Sequence, residues 1–466
     1  MADSPARRRP TRQGSPQRPR RDTPISPSRA AACAALAEAI PRFPDLLPIE
    51  PDTRGMDDRD GALARAIVGT AVRRWLTIEH LCARFLEKDL RALDAGVRAG
   101  LLAGGAQILF LDRVPDHAAI NETVQWVKSA VKPGAGGLVN AILRKLVGLR
   151  VDERDEWNDL RDEIPLAEGG SLVLDAEVFP AEPAKRWSAA CSLSPHLVQT
   201  WIDTHGEDEA RWLCHATLAM PTTLLNVAHA DPLPDLPSHE MDDVAVWEGS
   251  RIELESLLAG RTDLWVQDAA SRLAIASVAD LEPKLIVDLC AGRGTKTRQL
   301  AATFPSARII AADVEKNRLG ELRDLFGGGD RVRVMHADDA PAEVQGSADL
   351  VLLDVPCSNS GVLRRRPEAR YRFHPTQTQR LVEIQRGILA RAAGMVSETG
   401  TILYSTCSLE NAENGDQARW AADAFGLDIA GERLTLPRGV PGDLSRSHTD
   451  GSYSTRLRKP RSGPDG

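Results

Sequence analysis

No stretch of the 466-residue chain is apolar for long enough to span a bilayer. The longest such run, near Leu101 to Leu111, is short and broken by Gly104, Gly105 and Gln107. No apolar core follows the initial methionine, so no secretory leader is expected. The seven cysteines are odd in number and contain no CxxC pair. That excludes a disulfide framework and a zinc knuckle, predicts no metal site, and points to a reducing cytoplasm. No GxxxxGK[ST] phosphate loop is present, which favours a nucleoside cofactor over a nucleoside triphosphate. There is no internal repeat. A net positive charge is missing too, since the chain carries −8. Net charge is an average, however, and phosphate binding needs only a local basic patch. Residues 1–29 hold eight Arg against two acids, while acids crowd 152–168 and 231–255. The charge balance therefore does not exclude a nucleic-acid partner.

What is present falls into five segments. Residues 1–28, rich in Arg, Pro and Ser, read as a disordered tail that is either an RNA tether or a solubilising extension. Residues 29–150 read as helical, with Leu63, Ile67, Ala71 and Trp75 recurring every four positions. Pro115 and the stretch 133–137 punctuate the helices. Residues 151–182 are acidic and weakly patterned, and are expected to be a linker. Residues 183–260 form a small mixed α/β segment. It has helical runs at 196–205 and 207–220, and strand-like pieces at 223–227 and 244–247.

From 261 to 460 short apolar runs alternate with helical stretches. Strands are expected at 284–289, 308–312, 331–336, 349–353 and 400–405, and the clearest helix at 378–395. Repeated β-α units predict an open, mainly parallel, Rossmann-like sheet with helices on both faces. Ligands in such sheets bind beyond the carboxyl ends of the strands.

The chemistry-bearing residues stand at those ends. The first strand runs into Cys290, Ala291, Gly292, Arg293, Gly294, Thr295 and Lys296, a glycine-rich turn opening a helix. Its glycines admit close backbone approach, and the helix amino end offers free N–H groups. Asp313 ends the second strand, where an acid can accept both hydroxyls of a ribose. Asp338 follows the third, in reach of an adenine amino group. The fourth strand ends in Asp354-Val355-Pro356-Cys357, and the fifth in Thr406-Cys407-Ser408.

Two thiols and a carboxylate beside a methyl donor suit one reaction in particular. Cytosine C5 is a poor nucleophile. A thiolate adding to C6 makes the ring an enamine, and C5 can then attack an electrophilic methyl group. Asp354 can hold the N3–N4 edge of the base. The C5 proton then leaves and the cysteine is expelled. The base must be unstacked to enter. Strand position alone leaves open which thiol attacks.

These residues resemble the RNA cytosine-5 methyltransferases of the RsmB/NOL1/Sun family, over most of 58–458. Trp265 to Ser271 is similar to the family's VQDxxS lead-in. Asp354 to Ser358 with Gly361, Arg364 and Arg365 is similar to DAPCSxxGxxRR, and Thr406 to Ser408 with Glu413 and Asn414 to TCSxxxxEN. Asp450 to Tyr453 resembles the closing DGFF strand. The resemblance implies a class I fold that uses S-adenosylmethionine, with Cys407 as nucleophile and Cys357 assisting release. It also assigns the turn from Cys290 to Lys296, with Asp313, Asp338 and Asp354, to the cofactor pocket.

The helical segment resembles a NusB-type RNA-binding domain at 115–124 and 137–144. That implies phosphate contacts from Lys128, Lys132, Arg144 and Lys145, with Arg364 and Arg365 added from the catalytic segment. The family's AxPGGK turn is altered to Ala291-Gly292-Arg293-Gly294-Thr295-Lys296, and its RxN to Leu224-Leu225-Asn226. The expected activity is methylation of cytosine C5 in RNA, ribosomal RNA foremost, by a cytoplasmic monomer. The alternatives are a non-catalytic RNA-binding or ribosome-assembly factor, and a methyltransferase acting on DNA or a small molecule.

Overall fold

The computed structural model describes residues 25–460 apart from Gly328. Six helices come first: α1 (Pro27–Ala39), α2 (Asp58–Arg73), α3 (Trp75–Ala83), α4 (Ala95–Phe110), α5 (Asp116–Ala130) and α6 (Ala135–Leu149). Helix α4 is apolar apart from Arg98 and Gln107 and is buried from Gly96 to Leu109, so it forms the axis of the bundle. Its small residues let neighbours close in. A Cβ on Gly100 would lie 2.6 Å from Val127, and one on Gly105 would lie 2.5 Å from Ile78.

The tail expected over 1–28 lies, as far as residue 24, outside the described residues. Helix α1 already begins at Pro27, because Ser26 donates to Glu122 from its Oγ at 2.7 Å and its N–H at 2.9 Å.

The expected linker is in fact folded. It forms an antiparallel sheet of β1 (Arg150–Arg154), β2 (Glu163–Pro165) and β3 (Ser171–Leu174), in the order β1-β3-β2. Ile164, Leu172, Leu174 and Phe179 join the helical core. The strands are so short that the acids around them masked the pattern. One of those acids, Glu163, is itself buried, taking Arg154 and the N–H groups of Asn158 and Leu160.

Next come α7 (Pro183–Cys191), α8 (Pro195–His205) and α9 (Glu207–Ala216). A second small sheet of β4 (Thr223–Asn226), β5 (Val244–Trp247) and β6 (Trp265–Val266) follows, with α10 (Arg251–Leu258) between β5 and β6. Helix α11 (Ala269–Ala276) leads into the large sheet.

That sheet contains β7 (Leu285–Asp288), β8 (Arg308–Asp313), β9 (Val332–His336), β10 (Ala348–Asp354), β11 (Val396–Thr406), β12 (Asp428–Thr435) and β13 (Ser452–Arg458). Helices α12 (Thr295–Thr303), α13 (Lys316–Phe326), α14 (Ala340–Val344), α15 (Pro375–Met395) and α16 (Gly415–Phe425) alternate with the strands. Spatially the order is β12-β13-β11-β10-β7-β8-β9. The five strands from β9 to β11 are parallel, and β13 is antiparallel to both of its neighbours. Apolar clusters line both faces. The strand order reverses between β7 and β10, and open sheets place their ligands at such a reversal.

The 355–374 loop after β10 clamps the segments together. Tyr371 Oη donates to Val72 O at 2.5 Å and accepts from Trp75 N at 3.3 Å. Arg370, fully buried, donates to Cys191 O at 2.6 Å and Thr217 O at 2.9 Å. Among the described residues no helix is long and apolar enough to cross a membrane.

Candidate active site

The two sulfurs meet. Parallel pairing of β10 with β11 sets Asp354 opposite Ser405, so the residues just past each strand end lie side by side. Cys357 Sγ is 3.2 Å from Cys407 Sγ. Contact with Cys407, followed by burial, pushes the Cys357 thiol well above its usual range. Asn359, in a left-handed conformation at φ 67°, donates from its amide to Cys357 O at 3.0 Å. Its Oδ1 is 3.4 Å from Cys407 Sγ.

Beside the thiols, Lys296 Nζ donates to Asp354 Oδ2 at 2.8 Å. Burial works against the ammonium, but the Asp354 carboxylate outweighs it, so Lys296 titrates above the ordinary lysine value. Only one Asp354 oxygen is engaged in this pair, and the side chain is 36% exposed.

The turn after β7 brings most of its residues to the same cleft. Ala291 N donates to Ala312 O at 2.9 Å, and Gly292 N to Asp313 Oδ2 at 2.9 Å. Gly292 has φ 56° and Gly294 φ 85°, both positive. Arg293 turns away, with its side chain 82% exposed and Nε 3.3 Å from Glu321. Cys290 is shielded, and burial raises its thiol far above the usual range. Asp338 lies at the rim, 70% exposed, with Arg391 at 3.4 Å.

The cleft fits a nucleoside cofactor. A Cβ on Gly292 would meet nothing nearer than Cys290 O at 4.0 Å, so the turn faces open space. Val314, 60% exposed, offers apolar surface between Asp313 and Asp338. Below the turn, Asp288 Oδ1 is buried without a partner. Asp313 and Asp338 keep spare acceptor capacity for hydroxyl and amino donors.

The basic residues expected to touch RNA divide. Arg364 is 2% exposed; it donates to Arg438 O at 2.8 Å and faces Asp450 at 3.5 Å. Arg365 spans Asp450 at 2.5 Å and Asp268 at 3.1 Å. Both guanidiniums are thus committed to buried carboxylates, which corrects their expected role as phosphate contacts. Lys128, Lys132, Arg144 and Lys145 are exposed. Lys145 and Arg144 point apart: Lys145 Nζ lies over the Phe85 ring at 5.1 Å, whereas Arg144 borders a 260 Å³ cleft with His117, Asn121 and Val147. Sequence reasoning passed over Asn359, Gln385 and Ser408. Of these, only Ser408 stood within a motif.

Comparison with known proteins finds matches to both segments. Residues 277–422 match the family model described as 16S rRNA methyltransferase RsmB/F, and residues 28–148 match the NusB family. The catalytic segment is thus similar to RsmB/F methyltransferases, and the helical segment to NusB domains. The chain is 29% identical over 407 residues to the ribosomal RNA small subunit methyltransferase B of Sodalis glossinidius, covering 85% of this chain and 89% of that protein. It is 26% identical over 382 residues to the probable ribosomal RNA small subunit methyltransferase B of Bacillus subtilis, covering 77% and 79%. The crystal structure of PH0851 has the same fold, with a TM-score of 0.66 at 21% identity over 94% of this chain and all of that one. S-adenosylmethionine is the cofactor of this methyltransferase family.

Proposed function

We propose that this protein methylates C5 of cytosine in ribosomal RNA, with Cys407 as the nucleophile. The observation that carries the reading is the 3.2 Å contact of two thiols beside the Lys296–Asp354 pair. A binding protein needs no such pair, and a methyltransferase acting elsewhere than C5 needs no thiol nucleophile.

Residues 29–150 grip the RNA, and 261–460 carry the reaction. The turn from Cys290 to Lys296, with Asp313 and Asp338, holds S-adenosylmethionine, which supplies an electrophilic methyl group when bound. Asp354 accepts from the N4 amino group of the unstacked cytosine with the oxygen that Lys296 leaves free. Lys296 holds that carboxylate in place. Cys407 adds to C6 as a thiolate, and the S–C6 bond raises electron density at C5. After transfer, water takes the C5 proton, the C5–H pair re-forms the C5=C6 bond, and the S–C6 pair returns to the Cys407 sulfur. Cys357, in contact with the leaving sulfur, assists that release. Seven free thiols suit a reducing cytoplasm, and the protein acts there as a monomer.

Tritium transfer from labelled cofactor to RNA and to DNA of matched sequence tests the reading. RNA becomes labelled and DNA does not. Cys407→Ala abolishes labelling, and Cys357→Ala accumulates a covalent protein–RNA adduct. Full activity in Cys407→Ala refutes the nucleophile assignment. Bisulfite sequencing of cellular RNA with and without the gene locates the target.

A further inference from the structure

Glu413 lies beneath the two thiols and touches neither. It follows β11 and is fully buried. Its two oxygens are divided between the two strand ends. Oε2 accepts the N–H of Ser358, the residue after Cys357, at 2.9 Å. Oε1 accepts the hydroxyl of Ser408, the residue after Cys407, at 2.8 Å. Gln385, from α15, donates to Oε2 at 3.0 Å and also to Pro356 O at 3.1 Å. Tyr404 Oη fixes the backbone of Glu413 itself at 2.6 Å. One planar group of fixed width therefore spans both cysteine-bearing loops.

We infer that Glu413 is a positioning residue that sets the separation of the Cys357 and Cys407 sulfurs, by bridging Ser358 N and Ser408 Oγ. The β10–β11 ladder ends at Asp354 and Ser405, with a last bond from Val355 N to Ser405 O at 3.1 Å, so no sheet hydrogen bond fixes the separation at the cysteines themselves. Other links cross the gap, among them Asn359, which holds Cys357 O and approaches Cys407 Sγ at 3.4 Å, but none of them joins both loops through a single planar carboxylate. Ser358 Oγ and Ser408 Oγ approach to 3.1 Å as rotatable hydroxyls, and Gly361 N reaches Cys407 O at 2.9 Å. The inference rests on the proposed function for its catalytic readout, and on geometry alone for its chemical one.

Reach and charge separate in two variants. Glu413→Asp keeps the charge and is one methylene too short to span both loops. Glu413→Gln keeps the length and can still accept from Ser358 N. Expected for Glu413→Asp is a kcat at least tenfold lower, an RNA KM within twofold of wild type, and accumulation of the covalent RNA adduct. Glu413→Gln stays within threefold of wild type on all three. Ser408→Ala, which removes the bond at the Cys407 end, also accumulates adduct, and it decides alone if Glu413→Asp does not fold. Equal damage from Gln and Asp, or absence of adduct in the folded Asp and Ser408→Ala variants, overturns the inference.

A second readout needs no RNA. Diamide takes two hydrogens from two thiols and leaves one S–S bond. The Cys357–Cys407 disulfide, read by peptide mass, forms at least tenfold more slowly in Glu413→Asp than in wild type. An unchanged rate overturns the inference. If the wild-type protein labels no RNA, the functional reading fails while this measurement still decides the geometry.

Discussion

Asp288 is a buried acid whose cost to the fold should be readable by titration. It ends β7 beneath the cofactor turn, with the Thr297 hydroxyl on Oδ2 at 2.7 Å and nothing on Oδ1. Burial pushes its carboxyl up to about 7, the Thr297 bond only partly opposing, and the Asp354 charge adding to the rise. In the unfolded chain an aspartate titrates near ~3.9. Between these two values the folded protein holds a proton that the unfolded one has lost. Stability therefore falls as pH rises through that window, and this contribution is flat below and above it. Each pH unit is worth up to about 1.4 kcal/mol, so the full window is worth at most about 4 kcal/mol. Asp288→Asn removes the titration and keeps the shape. Its amide oxygen can accept from Thr297, but its nitrogen is left without a partner, at about 1–3 kcal/mol at every pH. The variant is thus less stable than wild type at pH 5, gains on it steadily to about pH 7, and keeps a constant difference from there to pH 8. Glu410, raised by burial to about 7, and Asp450, raised by burial to about 6, tilt both curves alike and cancel in the difference. Urea midpoints followed by tryptophan fluorescence at four pH values make the comparison. Parallel curves for the two proteins would falsify the assignment of a raised acid at this position.

Four further substitutions test the architecture and the RNA surface. Gly294→Ala places a Cβ 2.8 Å from Leu325 at a backbone φ of +85°, so it should cost more than about 1 kcal/mol and weaken cofactor binding by calorimetry. Tyr371→Phe strips Val72 O and Trp75 N of their shared partner at the junction of helical and catalytic segments, and should lower stability by about 1–3 kcal/mol in urea titration. Arg365→Ala leaves Asp450 and Asp268 buried against each other and should cost about 3–5 kcal/mol, whereas Lys132→Ala leaves stability unchanged and flattens the salt dependence of RNA binding. Equal salt slopes for Lys132→Ala and wild type remove Lys132 from the RNA surface.

The large sheet was legible because each strand is an apolar run of ordinary length, followed by its polar ligand-facing residue. All five expected strands appear within a few residues of their predicted ends, as does α15. The adjacency of β10 and β11 then followed from chain order, and with it the meeting of the cysteines. What stayed hidden depended on pairings distant in sequence. The β1–β3 sheet has strands of three to five residues, too few to show a period. Arg364 and Arg365 looked like phosphate ligands because their carboxylate partner, Asp450, lies 85 positions from Arg365. Glu413 was visible within a motif, but its bridge depends on Ser358, 55 positions away.

The placement of β13 carries a consequence for timing. This strand inserts between β11 and β12 although it is the last of the three to be synthesised. Just before it, Gly451 N donates to Gly361 O at 2.7 Å, and Asp450 takes Arg365, so the loop carrying Cys357 is braced by residues that emerge late. A ribosome making this protein has polymerised some 450 residues before the cleft can close. Earlier domains fold as they emerge, the helical bundle first. A nascent chain can therefore hold a finished helical bundle while its thiols are still unaligned, so on the proposed reading attachment to RNA precedes reactivity in the life of each molecule.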